Sequence, residues 1–177
     1  FFLELARDDA RLRIVLTDQA DAPDAAALPD LLRGWTVVDA GDNSAAATEG
    51  RTIVAFGARA EATLPVGAGD LFMATGWWTA YCAQRLLEWQ ARQYGAAPHP
   101  LLYFVQDFEP GFYPWSTRYM LALSTYTWDG PMLPVFNTGL LRAYFERQDL
   151  HFARAWSFEP QLTPALARVW TQAENGF

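Results

Sequence analysis

The chain has 177 residues, 51% of them apolar and 19% charged, and a chain of this length buries roughly 70% of the surface that its unfolded form exposes. Thirteen Lys and Arg against 20 Asp and Glu give a net charge of −7, and no cluster of positive charge offers the footprint that a nucleic-acid backbone requires. Its one cysteine, Cys82, excludes an intramolecular disulfide and suits a reducing cytoplasm, while His99 and His151 fall in no zinc-ligand spacing.

The first residues, Phe1–Asp9, carry acids and lack a basic leader. The longest nearly uncharged stretch, Leu71–Ala83, is shorter than the roughly 18 residues of a membrane helix. A soluble domain without a transmembrane segment is therefore expected. Phe1–Asp9 reads as the tail of a helix. Leu12–Thr17 is a buried strand, and Asp24–Arg33 is helix-like with Gly34 as its stop signal. Trp35–Asp39 and Thr52–Phe56 are short β-rich runs, separated by a small polar loop over Gly41–Gly50. Leu71–Ala74 is another strand candidate.

From Trp77 to Tyr94 the period becomes helical. Trp78, Cys82, Leu86 and Trp89 recur at spacings of four, four and three, which places them on one face, and Gly95 and Pro98 end the run. Leu101–Val105 (LLYFV) is the most strand-like segment. Trp115, Tyr119, Leu123 and Tyr126 again repeat as a helical face, with Pro114 near the first turn. Met132–Phe136 is a strand, and Asn137 can cap a helix over Thr138–Arg147. Ala153–Phe158 reads as a last strand before a helix beginning near Thr163. Strands separated by helices predict βαβ units, hence a Rossmann-like three-layer α/β sandwich with a mostly parallel sheet, organised as one domain over residues 1–177.

In an open parallel sheet, ligands bind beyond the carboxyl ends of the strands. After LLYFV come Gln106, Asp107, Phe108, Glu109, Pro110, Gly111, Phe112, Tyr113, Pro114 and Trp115, with two acids, an amide and four aromatic rings in ten positions. Pro110 biases Glu109 toward an extended backbone, and Gly111 permits a sharp turn. The loop reads as a substrate-contacting segment, or as a turn whose carboxylates cap the next helix. A second strand end carries Asn137, Thr138 and Gly139, where backbone N–H groups can receive a hydroxyl or an anion or where Asn137 is an ordinary cap. The third carries Glu159 in a second Phe-Glu-Pro triplet. Trp77 and Trp78 stand where a strand gives way to a helix, so that one ring faces a ligand or both join the core. The segment Gly67-Ala68-Gly69 precedes its strand and fails the dinucleotide fingerprint, and the sequence has neither a phosphate loop nor a GxSxG elbow.

The runs YFVQDFEPGFYPW (Tyr103–Trp115), YMLALSTYTW (Tyr119–Trp128), PVFNTGLL (Pro134–Leu141) and WSFEP (Trp156–Pro160) resemble the N-terminal domain of WsaF-type bacterial rhamnosyltransferases, GT-B enzymes similar to family 4 glycosyltransferases. The resemblance is strongest from about Gly69 to Pro160. It implies a cytoplasmic enzyme, compatible with a peripheral place at the inner face of the membrane, that transfers a sugar to a growing bacterial cell-surface glycan. Two Rossmann-like domains would face each other, this one receiving the acceptor glycan. The other, C-terminal domain would bind the nucleotide-sugar donor, for this family dTDP-L-rhamnose. No metal or other cofactor is implied. Because GT-B N-terminal domains begin with a strand and a glycine-rich loop, neither found here, the chain reads as a fragment inactive by itself.

Within that resemblance, Asp107 and Glu109 are the candidate catalytic groups, one of them a general base for the attacking hydroxyl. Gln106, Gly111, Tyr113, Trp115, Trp77, Asn137, Thr138 and Glu159 are candidate substrate contacts, with Tyr113 or Trp115 as a stacking wall. The rival reading is a non-catalytic carbohydrate-binding or assembly module with the same fold. A nucleotide-binding regulator is disfavoured by the missing phosphate loop.

Overall fold

The computed structural model describes residues 11–17, 24, 30–39, 50–57 and 63–161. The chain falls into two compact units, Phe1–Val66 and Gly67–Phe177, which are taken in turn.

In the first unit, β1 (Leu12–Leu16), β2 (Thr36–Asp39) and β3 (Arg51–Ala55) form a parallel sheet in the order β1-β3-β2. Strand β3 is central because both of its neighbours pair with it, in the registers Ile14↔Ile53 and Val37↔Ile53. Its sequence, RTIVA, is rich in the β-branched residues that fit a pleated, covered surface, and Thr52, Ile53, Val54 and Ala55 are all buried. Trp35 and Val38 complete this core. The expected helix over Asp24–Arg33 is described only at its end, a 3₁₀ turn at Asp30–Leu32 closed by Gly34 in the left-handed region.

The second unit holds β4 (Met73–Ala74), α1 (Trp77–Tyr94), β5 (Leu101–Val105), α2 (Thr117–Ser124), β6 (Met132–Phe136), α3 (Gly139–Arg147) and β7 (Trp156–Ser157). Its four strands pair in sequence order, β4-β5-β6-β7, and every pairing is parallel. The α/β class and the parallel strands are as the sequence predicts. Among the described residues the strands form two hydrogen-bonded ladders, one in each unit. Strand β7 is also shorter than its predicted span, with only Trp156 and Ser157 in the ladder.

Strand β5 alternates strictly, with Leu101, Tyr103 and Val105 buried and Leu102 and Phe104 only partly so. In parallel register Val105 lies beside Phe136, so both point to the same face. There they meet Ala80, Ala83 and Leu87 of α1, Phe145 of α3, Tyr126 and Leu150 in one core. Phe145 is ringed by edge-on aromatic contacts to Tyr126 at 4.8 Å and Phe136 at 5.0 Å, a geometry that sets a positive ring edge against a negative face.

Helix α1 has the predicted bounds, but its packing differs from its most apolar stripe. Trp78, Leu86 and Trp89 do share a face, and that face is the exposed one at 39%, 38% and 42%. The buried side carries Ala80, Ala83, Gln84, Leu87 and Gln90. Small alanines let the helix axis lie close to the strands. The two buried amides are satisfied by main-chain carbonyls, Gln84 Nε2 donating to Thr125 O at 2.8 Å and Gln90 Nε2 to Gly67 O at 2.6 Å. A helix side can be buried through such bonds without being apolar. The helix ends on Gly95 at φ 64°, a left-handed position that costs a side-chain-bearing residue about 1 kcal/mol.

One predicted helix start and one predicted cap are displaced. Helix α2 begins at Thr117 on Ser116, whose Oγ accepts from Tyr119 N, so Pro114 precedes the cap. Helix α3 is capped by Thr138, whose Oγ1 accepts from Leu141 N at 2.9 Å, and not by Asn137. The helix expected from Thr163 and the one expected over Phe1–Asp9 lie outside the described residues.

Candidate functional site

The parallel order β4-β5-β6-β7 brings the segments that follow these strands to one edge of the second unit. Polar side chains bind the neighbouring loops together there. Gln106 Nε2 donates to Thr75 O beyond β4, and Asn137 Nδ2 donates to Gln106 O, both at 2.8 Å. Gly139 N donates to Glu159 Oε1 at 2.9 Å. Gln106, Asn137, Thr138 and Glu159 thus lie along one edge, each bonded to a neighbouring segment or, for Thr138, to its own helix. The first N–H of α3 is already met by a carboxylate from this chain.

The two acids of the β5 loop stand in different surroundings. Asp107 is exposed, and its Oδ1 accepts from Phe108 N at 2.7 Å. Its second carboxylate oxygen has no hydrogen-bond partner among the described residues. Glu109 opens a 3₁₀ turn over Glu109–Phe112 and is only 7% exposed. Its Oε2 accepts from Tyr103 Oη at 3.0 Å and Tyr126 Oη at 3.2 Å, and its carboxylate also accepts from the Trp77 backbone N–H.

Burial raises the Glu109 carboxyl above its ordinary range, against the three hydrogen bonds that favour its charged form. Burial likewise pushes the Tyr103 and Tyr126 phenols well above theirs, first of all by desolvation, with the nearby Glu109 adding to the rise at Tyr103 and Tyr103 and Glu109 adding to it at Tyr126. Both phenols therefore stay protonated and donate. This arrangement ties β5, the turn after it, the segment after α2 and the first turn of α1 to one carboxylate. Glu109 holds the loop from within, and Asp107 stands exposed to solvent.

The aromatic residues grade outward from this anchor. Trp77 is half-buried and its Nε1 donates to Tyr113 Oη at 3.1 Å. That bond orients the Tyr113 ring edge-on to the indole, with centroids 6.1 Å apart. Trp77 and Trp78 both stay out of the fully buried core, Trp78 being 39% exposed. Trp115 is 78% exposed, its ring 5.0 Å from that of Tyr119, and Phe112, three residues before it, is exposed as well. Gly111 sits in the turn with ordinary room for a Cβ, nearest Phe108 at 3.5 Å. Its backbone does not demand glycine, and the residue leaves the surface low.

Tyr103, Tyr126 and the Thr75 carbonyl join the site without a motif that marks them in the sequence. Tyr103 occupies a core position of an alternating strand, where phenylalanine would fill the same space. The hydroxyl is the only signal of its role, because a buried phenol needs a partner. Among the described residues no group of three or more His, Cys, Asp or Glu gathers as metal ligands would, and no helix is long and apolar enough to cross a membrane.

Against known families, residues 1–139 match the model described as "WsaF, N-terminal domain". No curated protein matches the chain. The match includes the whole β5 loop, with Asp107, Glu109, Tyr113 and Trp115, and stops before Glu159. It identifies a glycosyltransferase-related domain. Covering 139 of 177 residues, the match shows that the chain belongs to the WsaF N-terminal domain family.

Proposed function

We propose that this chain is the acceptor-side domain of a glycosyltransferase that transfers a sugar to a growing cell-surface glycan, with rhamnose from dTDP-L-rhamnose as the donor sugar. The observation that carries the reading is the exposed Asp107 at the carboxyl end of β5, on a loop held by the buried Glu109 and followed by the exposed Trp115. A general base needs a free oxygen within reach of the attacking hydroxyl and a fixed position. Asp107 has the first, and the Glu109 anchor supplies the second. Trp115 and Tyr113 offer ring faces on which the apolar C–H side of a sugar can stack. Gln106 and Asn137 keep the loop ends in register. The donor and its diphosphate would belong to a C-terminal domain, so this chain alone would bind acceptor without turnover, in the cytoplasm.

One observation favours the non-catalytic carbohydrate-binding reading instead. The Asp107 carboxylate already accepts from Phe108 N, as a purely structural Asp does in a turn. Steady-state transfer by the full-length protein separates the two. If Asp107 is the base, Asp107→Asn lowers kcat/KM by about 10²–10⁴-fold with donor binding unchanged. Activity within about threefold of wild type, less than 1 kcal/mol, would remove Asp107 from the chemistry.

A further inference from the structure

A groove of about 560 Å³ opens at the opposite, amino-terminal end of β5, β6 and β7. Ligand sites typically occupy about 300–1,000 Å³. Its apolar floor includes Met132 and Phe152, two indoles, Trp128 and Trp156, stand in its wall, and its basic groups are His151 and Arg154.

The Trp128 indole is held from two sides. Its Nε1 donates to Glu88 Oε1 at 3.0 Å. Its ring also lies over Gly130 so closely that a Cβ there would stand 2.1 Å from Trp128 Cζ2. Only glycine leaves room for that ring. Trp156 is 54% exposed although it lies in a strand. Among the described residues Arg154 is exposed and makes no side-chain hydrogen bond, ion pair or ring contact. His151 bonds to Asp149 at 3.2 Å.

The held Trp128 indole, the exposed Trp156 indole and a guanidinium without a partner among the described residues suit a ligand that is apolar on one side and anionic at one corner, since Arg recognises carboxylate and phosphate oxygens in its own plane. We infer that this groove binds a sugar ring bearing an anionic substituent, the ring against Trp128 and Trp156 and the anion on Arg154. A uronate within a glycan and a sugar phosphate share that chemistry. The groove lies at the other end of the strands from Asp107, and the inference goes beyond the proposed transfer reaction without depending on it.

The test is titration of the ¹⁵N-labelled 177-residue chain, following the indole N–H resonances assigned by Trp128→Phe and Trp156→Phe. The probes are methyl glucuronide, glucose 1-phosphate, methyl glucoside and inorganic phosphate. Saturable shifts of the two indoles by about 10 mM, in the millimolar range of a single small site, are expected with methyl glucuronide, with glucose 1-phosphate or with both. Which of the two binds more tightly names the source.

Arg154→Ala is expected to weaken that binding about tenfold and Arg154→Lys by less, as loss of a charge-assisted, two-pronged contact predicts. Gly130→Ala, checked by its melting curve, is expected to displace Trp128 and weaken binding too. If that variant fails to fold, Trp156→Ala serves in its place. The inference is overturned by no saturable shift with either anionic sugar, by equal binding of methyl glucoside, by equal binding of inorganic phosphate, or by undiminished binding to Arg154→Ala.

Discussion

The two ends of the β5–β6–β7 ladder are built in opposite ways. At the carboxyl end nearly every polar side chain is engaged by its own chain: Gln106 on Thr75 O, Asn137 on Gln106 O, Glu159 on Gly139 N, and Glu109 on two phenols. At the amino end Arg154 has no side-chain partner among the described residues, and the indoles of Trp128 and Trp156 line the groove. The difference teaches where reactivity can reside. The carboxyl edge spends its polar groups on holding loops still, which leaves one carboxylate oxygen of Asp107 and the outer rings for a ligand. Rigid support of a small number of free groups is what a reacting site needs, whereas a groove with one loose cation is suited to binding alone.

The largest expected effect breaks the comparison at Asp107. If Asp107 is the base of the proposed transfer, Asp107→Asn in the full-length protein should lower it by about 10²–10⁴-fold, equivalent to about 3–5 kcal/mol, with little change in melting temperature. A large loss of stability without a loss of kcat/KM would make both acids of the loop structural. Next is the anchor. Glu109→Ala leaves the Tyr103 and Tyr126 hydroxyls and the Trp77 N–H without their acceptor, so it should cost about 3 kcal/mol in denaturant unfolding.

The same carboxyl has a pH signature. Its folded-state value is raised above the ordinary 4.5, so the folded chain holds the proton more tightly than the unfolded one. Its contribution to stability is therefore full at acidic pH and declines as pH rises from about 4.5 through the folded value. Glu109→Gln, which cannot titrate, should flatten that decline in melting temperature against pH. An unchanged slope would place the titrating group elsewhere.

Smaller effects sharpen the picture of the edge. Thr138→Ala removes the α3 cap and should cost about 1 kcal/mol in unfolding, while Asn137→Ala, which is not the cap, should leave helix α3 intact. Glu159→Gln keeps an acceptor for Gly139 N but removes the charge from the helix start. A few tenths of a kcal/mol, reduced further by salt, is the expected change, and a larger one would show that Glu159 does more than cap.

Much of the second unit was legible before any coordinates. The bounds of α1, β5 and β6 follow from periodicity and glycine punctuation, and the strand order puts Asp107, Asn137 and Glu159 on one edge as the βα alternation implies. Three matters were not legible. The apolar stripe Trp78–Leu86–Trp89 is a true helical face, yet burial followed the small residues and the satisfied amides Gln84 and Gln90 instead. The cap of α3 could be Asn137 or Thr138 by composition, and Asn137 was drawn away by the Gln106 carbonyl. Asp107 and Glu109 looked alike as neighbouring acids, and only the positions of Tyr103 and Tyr126 separate them.

By itself, then, the sequence determined the α/β class, the parallel strands, the helix of Trp77–Tyr94 and the family resemblance, because period, turn residues and contiguous motifs are local properties of a chain. Tertiary structure alone decided which face of that helix is covered, which acid is buried, and that Trp128 lies over Gly130 beside Arg154. Those depend on residues 17 to 40 positions apart meeting in space, such as Tyr126 with Glu109 and Trp128 with Glu88. No local pattern records whether a buried polar group will find its partner, and the desolvation of that group decides the outcome.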